Sequence, residues 1–188
     1  MSEKSSCDYS RPQPGDKGLV SIFTGDGKGK TTAAIGTAVR AAGHGLRVFI
    51  AFFAKGDEYY CGEANALSQL PNITLTSCLH KDWIDKENIK AEDKEIAESA
   101  LAAAREAMLN GNYNLIVLDE INIAVNYGLI SLDEIIRFIN DKPQNVELIL
   151  TGRYAEPKLV QMADLVTDMQ MVKHPYGKGI TARRGIDY

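Results

Sequence analysis

"FTGDGKGKTT", Phe23 to Thr32, decides the fold. Its three glycines alternate with polar residues and lead into Lys30-Thr31-Thr32. An apolar run, "GLVSIFT", comes before it, and the alanine-rich "TTAAIGTAVRAAG" carries on to Gly43. A strand, a glycine loop and a helix in succession make an anion site. The glycines let backbone N–H groups point inward, and the helix that follows adds its positive end. The usual phosphate-loop pattern is G-x-x-x-x-G-K-S/T. Here Thr24 stands in place of the first glycine, and Gly29-Lys30-Thr31 complete the pattern. The stretch Thr24, Gly25, Asp26, Gly27, Lys28, Gly29 and on through Thr32 is therefore expected to wrap a nucleotide's phosphates. Lys30 would reach the outer phosphates, and the Thr31 hydroxyl would ligate Mg²⁺.

Further along, short apolar runs alternate with helical patterns. "LRVFIAFF", "NITLTSC", "YNLIVLDE", "VELILTGR" and "LVTDMQMV" read as strands. "AEDKEIAESALAAAREAML" reads as a long amphipathic helix. "SLDEIIRFIND" opens with Ser131 and Glu134 at capping-box spacing, and Pro157 suits the first turn of another helix. Near-continuous apolar strands alternating with helices imply an α/β fold with a mostly parallel sheet, P-loop NTPase-like and RecA-like. Residues 1–17, polar and bearing Pro12, Pro14 and Gly15, read as a flexible arm; residues 18–188 read as one domain.

"LIVLDE" places Asp119 and Glu120 at the carboxyl end of a buried strand, the edge where ligands sit in open parallel sheets. Asp119 is the expected partner of Thr31 in holding a metal ion. Glu120 fits a base, a hydrogen-bond partner of a metal ligand or a helix cap. Arg153 ends another core strand at the same edge, where a phosphate contact and a structural ion pair fit equally well. A net charge of −4 makes the whole molecule no magnet for nucleic acid. The tail from Val172 is locally basic, with Lys173, Lys178, Arg183 and Arg184 against Asp187. Three cysteines without C-x-x-C spacing argue against a disulfide framework or a structural zinc site. No apolar run reaches membrane-span length and the start is too polar for a signal peptide, so a reducing cytoplasm is expected.

These features alone leave a γ-phosphoryl kinase and a non-catalytic nucleotide-binding module open. The sequence also resembles the P-loop corrinoid adenosyltransferases, from about Gly18 onward. The segments that carry the resemblance are "FTGDGKGKTTAAIGTAVRAAGHG", "FAKG", "VLDEINIAVNYGLISLDEII", "LTGR", "ADLVTDM" and "VKHPYGKGITARRGIDY", in that order.

The resemblance implies that a corrinoid Co(I) attacks C5′ of ATP, with the whole triphosphate leaving. It further implies ATP held in reversed direction along the loop, Mg²⁺ or Mn²⁺, a homodimer and a flavoprotein electron donor. The corrinoid would be cobalamin, cobinamide or cobyrinic acid diamide. Trp83 falls in the segment that packs beneath the corrin in this family, and Phe53, Tyr59 and Tyr60 are weaker candidates for that contact. Two departures stand out: Asp26 where many relatives have Asn, and Lys81 where better-known members have Phe.

Overall fold

A computed structural model describes residues 17–53, 62–77, 84 and 86–187. The apolar runs form six strands: β1 (Val20–Thr24), β2 (Val48–Phe52), β3 (Ile73–Ser77), β4 (Leu115–Asp119), β5 (Glu147–Thr151) and β6 (Leu165–Asp168). Between them run α1 (Lys30–Gly43), α2 (Gly62–Leu67), α3 (Ala91–Leu109), α4 (Ile121–Asn126), α5 (Leu132–Asn140) and α6 (Pro157–Met162). The strands make one sheet in the order β3-β2-β4-β5-β1-β6, and every pairing is parallel. This is the α/β architecture expected of a P-loop domain.

Both faces of the central strands are covered, which is why β2 and β4 read as nearly unbroken apolar runs. β2 and β4 are buried at all five positions. On one face α1 lays Ala34, Ile35 and Ala38 over Val48, Ile50, Val117 and Ile149. On the other, α3 presents Ala97, Ala100, Ala104 and Ala107, a stripe at helical spacing whose small side chains let the helix lie close to the sheet. Phe138 of α5 is fully buried in the same layer. Such a side chain contributes about 1.5–3 kcal/mol on leaving water.

The connections locate the ligand edge. After β1 the chain crosses to the α1 face, whereas after β5 it crosses to the opposite face, where Leu159 of α6 is buried. β1 and β5 are neighbours, so the chain leaves them in opposite directions and opens a crevice at their carboxyl ends. Thr24 with its glycine loop and Thr151-Gly152-Arg153 lie at the mouth of that crevice.

β6 is shorter than the run "LVTDMQMV". It pairs with β1 from Leu165 to Asp168 and then turns away over the glycine loop. Its entry is fixed by Asp164, whose carboxylate accepts from the Val20 N–H at 2.9 Å while its own N–H donates to the Val20 carbonyl at 2.8 Å. The Val20 N–H holds the Asp164 carboxyl below its ordinary range. Among the described residues no helix is long and apolar enough to cross a membrane.

The capping box of α5 forms as expected. Ser131 N–H donates to Glu134 at 2.9 Å, and Glu134 N–H donates back to the Ser131 hydroxyl at 3.3 Å. The Ser131 hydroxyl, followed by the Ser131 N–H, holds the Glu134 carboxyl below its usual value. A carboxyl lowered in the native state stabilises the fold above its unfolded value of about 4.3 and loses that contribution as pH falls through the native value. Ser131→Ala should therefore cost about 1 kcal/mol near neutrality in urea unfolding. The gap between wild type and variant should narrow as the pH is lowered past the carboxylate range.

Candidate functional site

The glycine loop closes into a cradle between β1 and α1. Gly25 and Gly29 take left-handed φ values of 95° and 117°, which turn the backbone back on itself. Lys30, the first residue of α1, is 8% exposed. Its ammonium lies in the cradle, donating to the carbonyls of Gly25 at 2.8 Å and Gly27 at 2.7 Å. Burial pushes the Lys30 ammonium below its ordinary value; the Glu120 carboxylate works against that, and the Arg153 cation adds to it. Coulomb attraction of such a cation for an anion grows as water is excluded.

The glycines also answer to a second neighbour. A Cβ on Gly25 would stand 2.1 Å from an Asp168 carboxylate oxygen, and one on Gly27 2.6 Å from the Met169 carbonyl. The Gly27 N–H donates to that same carbonyl at 2.6 Å. The segment leaving β6 is therefore pressed against the loop, and bare backbone is the only surface that fits. The motif "ADLVTDM" thus serves the loop at both ends, through Asp164 at the β1 entry and Asp168-Met169 at the exit.

Asp119 is fully buried at the end of β4. One of its oxygens accepts from the Thr151 hydroxyl at 2.7 Å, and the other faces the Thr31 hydroxyl at 3.3 Å. The structure thus brings Thr31 and Asp119 together as the sequence led us to expect. Thr151 was not anticipated. Its hydroxyl also accepts the Glu120 N–H at 2.8 Å, clamping the residue after β4. Glu120 sits at the start of α4 with φ 62°, a left-handed conformation costing about 1–3 kcal/mol for a residue with a side chain. Its side chain makes no cap; a carboxylate oxygen lies 3.2 Å from where a Gly152 Cβ would stand.

Arg153 lies along the loop's outer side. Its guanidinium donates to the Asp26 carbonyl at 3.3 Å and stands 3.7 Å from the Asp26 carboxylate. The extra acid in the loop therefore has a cation beside it and is mostly exposed. Asn122 is buried beneath, its amide donating to the Gly152 carbonyl at 3.1 Å while its carbonyl oxygen has no hydrogen-bond partner among the described residues. Nothing in the sequence singled it out.

Phe53 corrects an expectation. Its ring is fully buried in the α3-side core and its N–H donates to the Asp119 carbonyl at 2.8 Å. It supports the strand bearing Asp119 from within rather than offering a surface to a planar ligand. Trp83, Lys81, Tyr59 and Tyr60 lie outside the described residues. His44 ends α1 with its N–H on the Arg40 and Ala41 carbonyls, and the His174 ring accepts the Tyr176 N–H at 3.2 Å. Both are local chain-reversal residues.

Comparison with known proteins bears on the whole assembly. The family model described as ATP:corrinoid adenosyltransferase BtuR/CobO/CobP matches residues 16–188, which takes in the loop, the carboxylate edge and the tail. The chain belongs to that family. A corrinoid adenosyltransferase of a Sinorhizobium species is 35% identical over 175 residues, covering 92% of this chain and 81% of its own. The Escherichia coli K12 corrinoid adenosyltransferase is 34% identical over 173 residues, covering 92% of this chain and 87% of its own. The Salmonella typhimurium corrinoid adenosyltransferase CobA is 33% identical over 173 residues. An ATP:corrinoid adenosyltransferase is an enzyme, and its reaction favours neither a kinase nor a passive binding module.

In this adenosyltransferase the Thr151 hydroxyl is the joint between β4 and β5 at the ligand edge. Thr151→Val keeps the shape but leaves an Asp119 oxygen and the Glu120 N–H without that partner. We expect a loss of about 1–3 kcal/mol in thermal or denaturant unfolding, larger than for Thr167→Val on the exposed edge strand.

Proposed function

We propose that this chain transfers the 5′-deoxyadenosyl group of ATP to the Co(I) ion of a corrinoid. The cobalt electron pair forms a bond to C5′, the C5′–O5′ bond breaks, and its electron pair departs on the triphosphate. Cobalt ends two electrons more oxidised, as an alkyl-Co(III) corrinoid. One observation carries the reading. The family match runs through a loop whose buried ammonium and backbone are shaped to hold a polyphosphate.

Co(I) is itself a strong nucleophile, so the chain's work is to orient C5′ and stabilise the leaving charge. Lys30 would exchange its loop carbonyls for phosphate oxygens, and the free N–H groups of the loop and of the first turn of α1, Thr32 included, would complete the cradle. Arg153, held along the loop by Asp26, is positioned for the outer face of the same triphosphate. Glu120, close to Gly152 and Arg153, would orient groups around the ribose or the metal shell.

A divalent ion, Mg²⁺ or Mn²⁺, fits the donors present. Thr31 and Asp119 offer hard oxygens 3.3 Å apart, and among the described residues no cluster of three or more His, Cys, Asp or Glu side chains could hold a metal alone. Such a pair binds a metal that arrives with phosphates. When bound, the ion would neutralise charge gathering on the triphosphate.

Trp83 remains our candidate for the surface beneath the corrin, on family resemblance. A homodimer is supported by β6, an edge strand exposed along its whole length with Leu165 at 45% and Val166 at 40%. We place the reaction in the cytoplasm with a flavoprotein as electron donor.

Incubation with ATP and chemically reduced cobalamin should produce an alkylcobalt spectrum and one equivalent of inorganic triphosphate. Formation of ADP instead would overturn the reading. Lys30→Ala and Thr31→Ala should each lower turnover by about 10²–10³-fold. Trp83→Ala should chiefly harm the reaction that starts from Co(II); unchanged activity on that substrate would remove Trp83 from the site.

A further inference from the structure

The tail motif "GIDY" lies far from the glycine loop in sequence. In the structure its acid comes back to the nucleotide loop. Gly185 has φ 76°, and this left-handed residue folds Arg183–Asp187 into a closed turn in which the Asp187 N–H donates to the Arg183 carbonyl at 2.8 Å. The turn aims the Asp187 carboxylate inward, leaving its side chain 13% exposed.

The two carboxylate oxygens then divide their work. One accepts from the Arg183 backbone N–H at 2.9 Å and from its guanidinium at 3.0 Å, which fixes the carboxylate within the tail. The other accepts from the ammonium of Lys28, in the glycine loop between Gly27 and Gly29. A surface ion pair between two free side chains loses much of its gain to side-chain entropy. Here the acid is already immobilised by its own turn, so Lys28 alone is ordered by the contact.

We propose that Asp187 is a positioning residue for the nucleotide loop, holding Lys28 so that the backbone from Gly27 to Gly29 keeps the curvature that receives a triphosphate. The proposal rests on the phosphate-cradle reading of the loop. It makes the Arg183–Asp187 turn a further support for the loop, beside the Met169 carbonyl that holds Gly27 and the Arg153 guanidinium on the Asp26 carbonyl.

The sign of the effect separates positioning from simple electrostatics. Removing a negative charge beside an anion site should tighten anion binding by Coulomb attraction alone. Loss of a positioning contact should weaken it. The test is titration calorimetry with inorganic triphosphate and Mg²⁺ on wild type, Asp187→Asn, Lys28→Ala and the double variant.

We expect Asp187→Asn to weaken triphosphate about fivefold, the scale of one part-exposed charged contact, and to have no further effect once Lys28 is alanine. Equal or tighter binding by Asp187→Asn overturns the proposal. So does an Asn effect of the same size in the Lys28→Ala background, which would mean the tail acts by another route. Wild-type protein that ignores triphosphate removes the cradle reading itself, and the proposal with it. Lys28 is half exposed but the Asp187 side chain is largely covered, so unliganded thermal midpoints serve as the folding control.

Discussion

A carboxylate taken fully out of water must find partners for its oxygens, and Asp119 is the point at which this fold meets that demand. It accepts from Thr151 on the neighbouring strand and faces Thr31 on the helix that follows the loop. Three elements far apart in sequence therefore meet at one buried side chain on one edge of the sheet. The glycine loop hangs between one of them, α1, and β1, the strand paired with β5. Without that knot, β4 and β5 would still pair through their backbones, but the edge facing the ligand would have no fixed chemistry.

The loop itself is held from outside as much as from within. Lys30 fills it, Met169 takes the Gly27 N–H, Arg153 reaches the Asp26 carbonyl, and Asp187 takes Lys28. Glycine at Gly25 and Gly27 is commonly explained by the approach of phosphate. Here the backbone of the protein's own edge segment already requires it.

The sequence disclosed what is periodic or local. Buried parallel strands must be apolar throughout, so their cores were readable; α3 from Ala91 to Leu109 coincides with its amphipathic stretch, and the Ser131–Glu134 box forms as spaced. The short helices α2 and α4 escaped notice because six residues span too few turns to show a period. β6 ends at Asp168 because the chain there leaves the sheet to cross the glycine loop, and the apolar residues on either side in "LVTDMQMV" do not reveal that departure. At the site, Lys30, Thr31 and Asp119 carried a motif and were found together. Thr151, Asn122 and Asp187 matter only through contacts made across many residues, which no local pattern records. Phe53 misled because an aromatic at a strand end looks the same whether it faces a ligand or the core.

The contacts that shape the loop have one further consequence, for the order in which the molecule is made. Residues 25–29 come early in the chain, yet they are supported by residues 168–170 and 187, a separation of up to 159 residues. Contacts of such long range form late, because the entropy of closing the intervening chain must be overcome first. As the protein emerges from the ribosome, β1 and α1 appear with their glycine loop unbraced, and the loop acquires its walls only after the edge strand has docked. An amino-terminal fragment ending before β6 would therefore lack the Met169 and Asp187 contacts that brace the loop.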